Sequence, residues 1–227
     1  MIVAGVDGYA RGWLALRCEF DRRGRMEVLG LEGLRVFDLV LKSAAHVVVV
    51  DIPIGLPERA SDGPRRCDVE ARRLLGARRT AVFPAPGRVA LTMGTYAEAH
   101  AVSPMSLQTF AIVRKVAEVD QTMEPEHQVR VREGHPELSF REMAGGRPLA
   151  RPKASADGRA ERMRLLGALG LDIPALIARK PSGAAIDDVL DAAAMAWTAA
   201  RIAFGQARKL PEDAALDARG LRMEIWV

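Results

Sequence analysis

His46-Val47-Val48-Val49-Val50-Asp51-Ile52-Pro53-Ile54-Gly55-Leu56-Pro57 is the stretch on which the fold turns. Its four consecutive valines are β-branched and apolar on both faces. That predicts a central strand buried on both sides, as in a parallel sheet covered by helices. The run ends on Asp51, whose carboxylate is costly to bury without a partner. Pro53, Gly55 and Pro57 then break the strand. Open α/β sheets place their chemistry at the carboxyl ends of such strands, so Asp51 is a candidate site residue. The competing reading is that it caps a turn or pairs with an arginine.

Working back towards residue 1, Ile2-Val3-Ala4-Gly5-Val6-Asp7 is a second short apolar strand that also ends on an aspartate. Residues 8–12 form a turn, 13–20 a strand, 21–25 a hairpin loop and 26–31 a further strand, which makes a β-meander. Residues 34–42 carry apolar side chains at helical spacing and lead into the valine strand. The predicted order is β-β-β-α-β.

Working forward, residues 56–128 differ in character. They hold an arginine series (Arg59, Arg65, Arg66, Arg72, Arg73, Arg78, Arg79 and Arg88) and read as a helical and loop insertion after strand four. Short helices are expected at 68–75 and 95–101, an irregular loop at 80–89, and a longer helix at 104–119, whose apolar stripe includes Leu107, Val113 and Val116. Residues 129–132 form a strand ending in the polar cluster Glu133-Gly134-His135-Pro136-Glu137. A short helix or strand follows at 138–143, and 144–160 is a Gly- and Pro-rich loop. Helices are expected at 159–169, 172–178 and 187–204, the last rich in alanine. Asp188 and Asp191, three apart, share one face of it. Residues 207–220 read as a linker and 221–227 as a terminal strand. The whole, 1–227, reads as a single α/β domain with the insertion at 56–128.

The composition fits that reading. Hydrophobic residues make up 49% and charged residues 27% of 227, enough for a core without staples. The net charge of +4 is compatible with a polyanionic partner without requiring one. Two cysteines, Cys18 and Cys67, have no metal-binding spacing, which excludes a disulfide framework or a zinc site. No apolar run approaches the ~18 residues of a membrane span, and the first residues run straight into a strand rather than a signal peptide. No membrane association is expected, and the reducing cytoplasm is the expected location.

The acids make a constellation. Strands one and four are neighbours in a β-β-β-α-β layout, so Asp7 and Asp51 would project side by side, and a helix packed there could add Asp188 and Asp191. Ionised carboxylates brought together raise one another's pKa, and a divalent cation removes that cost. All-oxygen ligands suit Mg²⁺ or Mn²⁺. Two such ions roughly 4 Å apart form the clamp used in phosphodiester cleavage. Taken singly, each acid also has a structural reading, as an Asx turn at Asp7 or a helix cap at Asp187 or Asp188.

The strand order, with acids ending strands one and four and an Asp-x-x-Asp pair in a late Ala-rich helix, resembles the RNase H-like superfamily. Asp188-Val-Leu-Asp191-Ala-Ala-Ala-Met-Ala looks like the carboxyl-terminal helix of RuvC-type Holliday-junction resolvases. The whole chain is similar to a bacterial family of uncharacterised proteins regarded as predicted RNase H-like nucleases. The segments that carry the likeness are Gly5-Val6-Asp7-Gly8 with Gly12-Trp13, residues 51–57, Arg66-Cys67-Asp68 with Ala71-Arg72, Leu75-Gly76-Ala77-Arg78, Val82-Phe83, Gln108, Glu118-Val119-Asp120, residues 133–140, Lys153 and Asp187–Ala192. The resemblance implies an RNase H-like mixed sheet flanked by helices and a metal-dependent nuclease or phosphodiesterase using a two-metal-ion mechanism. It implies that Asp7, Asp51 and Asp191 bind Mg²⁺ or Mn²⁺, with Asp188 at the position that varies among resolvases. Residues 133–137 have no counterpart in RuvC-type enzymes. His135 is read there as a general base or phosphate contact, against a structural role beside Pro136, and Glu137 as the more functional of the two glutamates.

Arg66, Arg72, Arg78, Arg79 and Lys153 are candidate phosphate contacts. The competing reading is a solvated helix face partnered by Glu58, Asp62, Asp68 and Glu70. The partner is therefore a nucleic acid or a small phosphorylated ligand, and the oligomeric state is open, a homodimer included. The alternative function is a non-catalytic or small-phosphate-binding protein on the same fold. An actin-like ATPase is disfavoured, because the chain is too short for a duplicated core and lacks a second Gly-rich phosphate loop.

Overall fold

The computed structural model describes residues 1–21 and 25–227. The chain opens with β1 (Ile2–Tyr9), β2 (Gly12–Phe20) and β3 (Met26–Leu34), then a single helical turn α1 (Asp38–Leu41) and the valine strand β4 (Val47–Val50). Helices α2 (Arg66–Leu75), α3 (Tyr96–Val102) and α4 (Leu107–Thr122) precede β5 (Val131–Glu133). Then come α5 (Pro136–Met143), α6 (Ala156–Gly167), α7 (Ile173–Ala178) and α8 (Ile186–Ala203), and last the short strands β6 (Lys209–Leu210) and β7 (Ile225–Trp226).

The five-stranded sheet has the order β3-β2-β1-β4-β5. β2 is antiparallel to both of its neighbours, whereas β4 pairs parallel with β1 and β5 parallel with β4. This is the mixed RNase H-like sheet. Alternation along the strands sorts the side chains into two layers. Val3 and Val49 join the core under α8, and Ala4, Val6, Val48 and Val50 join the core under α4. Val48, Val49 and Val50 are completely buried. Each contributes about 1.5–3 kcal/mol relative to exposure.

The structure refines several expectations. The helical and loop segment 56–128 follows β4. Its helix α4 places Val116 and Val119 on the same face of the sheet as Val48 and Val50, so α4 is the crossover helix between two parallel strands and part of the core. Only the part before it, with α2, builds a separate small core, against Leu138, Leu210, Ile225 and Val227. The expected linker 207–220 contains β6, which pairs antiparallel with β7. The helix expected at 159–169 starts earlier, because the Ser155 hydroxyl accepts from the Gly158 amide and caps α6. The expected hairpin loop 21–25 falls partly outside the described residues. Among the described residues no helix is long and apolar enough to cross a membrane.

Two glycines set the spacing between helix and sheet. A Cβ on Gly5 would lie 2.0 Å from both the Ala192 carbonyl oxygen and the Ala196 nitrogen of α8. One on Gly134 would lie 2.4 Å from Val49 Cγ1 and 2.9 Å from Met195 Sδ. The helix backbone thus rests directly on β1. Gly5→Ala must push two main chains apart, and we expect a loss of about 3 kcal/mol or more in urea denaturation. An unchanged midpoint would show that α8 does not sit this close.

Candidate metal centre

Asp7 and Asp51 are brought together by strand register. Val6 pairs with Val50, and the Asp51 amide donates to the Val6 carbonyl at 2.9 Å, so the parallel pairing runs one residue past β4. By alternation both aspartates belong to the face covered by α8. Gly5 meets the helix at residues 192–196, so Asp7 faces the preceding turn, which carries Asp188 and Asp191. Asp7 and Asp191 are buried, and Asp51 is half-buried.

Their electrostatics follow from that crowding. Burial, and then the charges of Asp191, Asp51 and Asp188, hold the Asp7 carboxyl well above its ordinary range. Asp51 is also raised, by burial and by Glu137, against the pull of His135 and Lys153. Burial pushes Asp191 up to about 6, with Lys153 pulling down and Asp51 and Glu137 adding to the rise. The Lys153 ammonium donates to Asp191 Oδ2 at 2.7 Å. Asp191 Oδ1 is buried with no hydrogen-bond partner.

The other expected site residues fall into different roles. Asp188 accepts from the Ala185 amide at 2.7 Å and so caps α8, while Asp187 pairs with Arg159 at 3.1 Å. Asp188 still faces Asp7 closely enough to raise its pKa. Glu137 is gripped by the buried Arg162, whose Nε and Nη2 donate to Oε1 at 3.0 and 2.5 Å and whose Nη2 also donates to Oε2 at 2.7 Å. His135 is the N-cap of α5. Its Nδ1 accepts from the Glu137 amide and its Nε2 donates to the Ala81 carbonyl, both at 3.2 Å.

The arginines divide in the same way. Arg78 Nη2 lies 3.6 Å from Glu137 and reaches the edge of the cluster. Arg66 is exposed and forks onto Asp213, Arg72 donates to the Val82 carbonyl at 2.6 Å, and Arg79 faces solvent. The structure does not bring these three to the carboxylates.

Sequence reasoning missed the frame that holds the loop after Asp51. Arg65, from the arginine series, is buried and donates to Glu133 Oε1 and Oε2 at 2.7 and 2.8 Å and to Asp68 at 2.6 and 3.1 Å. It also donates to the Ile54 and Gly55 carbonyls, while Glu133 accepts from the Ile54 amide at 2.7 Å. Burial holds Glu133 up, to about 7, even against Arg65. A second missed frame joins Arg88 to Glu58, Asp120 and Asp217, and Asp217 accepts from the Leu56 amide at 3.0 Å. Asp68 lies only three residues from Arg65, but pattern cues could not find Glu133, Asp120 or Asp217, which lie far from their arginines in the chain.

An all-carboxylate set with one orphaned buried oxygen fits a hard divalent cation in its chemistry. As they stand, no three acidic, His or Cys side chains among the described residues are close enough to hold a metal. The positive charge at the cluster is the Lys153 ammonium. Two cavities, of about 980 and 320 Å³, lie elsewhere, beside Phe20 and Phe204 and beside Leu56 and Met223.

Fold and site together define an α/β protein with the strand order of an RNase H-like sheet and a largely buried carboxylate cluster at the carboxyl ends of its two central parallel strands. The chain belongs to the family described as protein of unknown function DUF429, which it matches over residues 5–216. No curated protein matches the chain. Among solved structures it is similar to Thermus thermophilus RuvC. The structure of that protein in complex with a Holliday junction substrate is 14% identical with a TM-score of 0.40, covering 91% of this chain and 97% of that one. A further RuvC structure from the same organism is 16% identical with a TM-score of 0.40, covering 91% and 98%.

Two measurements test this geometry. Asp191 keeps its proton to a higher pH folded than unfolded, so between about pH 4 and 6 the folded state binds more protons and stability falls as pH rises. In chelator-treated protein that loss should reach about 3 kcal/mol, from a rise of 3.8 to about 6. Lys153, Asp7, Asp51 and Glu137 face the same carboxyl. The contribution is therefore read as the difference between wild type and Asp191→Asn, and identical pH profiles would contradict the assignment. Separately, Arg65→Ala strands two buried carboxylates and should cost about 3–5 kcal/mol in denaturant titration.

Proposed function

We propose that this chain is a divalent-metal-dependent phosphodiesterase that cleaves nucleic acid, with Asp7, Asp51 and Asp191 as ligands of Mg²⁺ or Mn²⁺. The observation that carries this reading is that three carboxylates from β1, from the end of β4 and from α8 are confined to one face while Asp191 Oδ1 has no partner. When bound, such ions activate the attacking water and stabilise the leaving oxygen.

The chain's own residues have separate tasks in this reading. Asp7, Asp51 and Asp191 supply oxygens whose raised pKa values report how poorly they tolerate ionisation without a cation. Asp188, in the first turn of α8, accepts from the Ala185 amide and fixes the start of the helix that presents Asp191. Glu137 and His135 are positioning residues. His135 ties the Ala81 carbonyl to the start of α5, and Glu137 ties α5 to α6 through Arg162. Arg78 and Lys153 are the basic groups near enough to receive a phosphate. Arg66, Arg72 and Arg79 lie on the flanking surface, where they would contact a longer substrate.

One observation favours a second reading, a small-phosphate-binding protein without catalysis. Asp7 and Asp191 are buried, Asp191 is already paired with Lys153, and neither cavity is lined by the three carboxylates.

Purified protein with Mn²⁺ or Mg²⁺ should cleave at least one of single-stranded, duplex, hybrid or branched nucleic acids. Asp51→Asn should reduce that rate by about a thousandfold. Cleavage that survives Asp51→Asn defeats the proposal. Calorimetry showing no divalent-ion binding, alongside binding of inorganic phosphate, selects the second reading.

A further inference from the structure

Lys153 stands where a cation is needed, but it comes from an unusual place. It belongs to the segment between α5 and α6, which contains Gly145, Gly146, Pro148 and Pro152 and is largely exposed. Its side chain is 48% exposed and that of Asp191 only 4%, so the ammonium reaches inward from the surface to a buried carboxylate. Few anchors hold the segment itself. Leu149 is buried in the main core, Arg162 Nη1 donates to the Arg151 carbonyl at 3.3 Å, and Ser155 donates to the Pro152 carbonyl at 2.8 Å.

Arg78 reaches only Glu137, at 3.6 Å, and three other cations near the cluster are committed. Lys115 donates to the Gly12 carbonyl at 2.6 Å and lies 4.7 Å from the Trp13 ring centre. Arg162 is locked to Glu137, and Arg159 to Asp187. Lys153 is the half-exposed cation whose hydrogen bond is made to a cluster carboxylate itself. While it holds Asp191 Oδ2, that carboxylate has only Oδ1 to offer, and no three acids converge at metal-ligand spacing.

We propose that Lys153 is a resident counter-cation that a divalent ion must displace, so that residues 144–155 form a strap which is closed over the carboxylates in the metal-free chain and released when metal binds. This rests on the metal-centre reading of Asp7, Asp51 and Asp191 and adds a competitor to it. One ammonium and one metal ion cannot both satisfy Asp191 Oδ2, so metal uptake and strap release are a single event. The freed lysine then projects from the strap beside the cluster, free to contact a phosphate.

The test is a comparison of Mn²⁺ binding by calorimetry in the full chain. Lys153→Met removes the competitor and should bind Mn²⁺ about tenfold tighter than wild type, the loss of one charge-assisted contact, while Lys153→Arg, which keeps the charge, should stay near wild type. Hydrogen exchange on the unmodified protein needs no variant. Mn²⁺ should speed exchange across 144–158, where the Gly146 and Ser155 amides donate to the Arg141 and Pro152 carbonyls. Equal Mn²⁺ affinities together with unchanged exchange overturn the strap and leave the metal centre standing. Absence of Mn²⁺ binding in all three proteins overturns both. If Lys153→Met does not fold, exchange in the unmodified protein decides alone: acceleration by Mn²⁺ supports the strap, and none overturns it.

Discussion

The contact of α8 with β1 at Gly5 is the constraint on which the rest depends. A helix ordinarily stands off a sheet by the depth of its side chains. Here the absence of a Cβ lets the Ala192 carbonyl and the Ala196 amide approach the strand directly. The alanines of α8 carry that close approach along the helix, with Ala192, Ala193, Ala196, Ala199 and Ala200 all completely buried. Asp191 precedes this seam by one residue. Its carboxylate is therefore set over the strand ends by the same packing that closes the core, and site and fold are not separable.

Buried charge is handled in two different ways. Arg65 with Glu133 and Asp68, and Arg162 with Glu137, are forked pairs in which nearly every donor meets an oxygen. Such pairs contribute little net stability but are expensive to break, and here they fix the loop after Asp51 and the start of α5. Asp7, Asp51 and Asp191 have no equivalent arginine. Three anions share one half-exposed lysine, and one carboxylate oxygen has no partner at all. The frames built on Arg65 and Arg162 match their buried carboxylates oxygen by oxygen, whereas this cluster sets three carboxylates against one lysine, and crowded carboxylate in a confined place is what a bound cation requires.

The parts of the fold written in local pattern were legible in the sequence. The valine run, the meander before it and the Ala-rich helix each follow from a single period, and Asp7, Asp51 and Asp191 could be named because each ends or interrupts an apolar pattern. The partners were not legible. Arg65 and Arg66 are adjacent in the same arginine series, yet one is buried at the heart of an ion network and the other forks onto Asp213 in solvent, a difference decided by which way a helix start faces. Arg65 and Glu133 are separated by 68 positions and Lys153 and Asp191 by 38, and no periodicity spans such distances. Lys153 thus read as a phosphate contact, although its partner in the folded chain is an aspartate. The apolar stripe of α4 was visible, but its position between two parallel strands emerges only from the sheet order.

Protons, an ammonium and a metal ion are then rivals for the same oxygens. Each can discharge the repulsion among Asp7, Asp51 and Asp191, and each does so at a different cost. A proton removes the charge and with it the ligand. Lys153 keeps the charge but must hold an exposed, rotamer-rich side chain and its strap in one place, at up to about 2 kcal/mol in side-chain entropy alone. A divalent ion keeps all three carboxylates ionised and binds only where they are assembled, so it stabilises the folded chain by an amount that grows with the logarithm of its concentration over its dissociation constant. Near neutral pH, where Asp191 is largely ionised, the contest narrows to lysine against metal. A lysine too tightly held would shut the centre, and no lysine at all would leave the metal-free fold with uncompensated charge. A single contact from a half-exposed side chain meets both demands, which is the physical reason for placing this cation on a loop rather than on a helix.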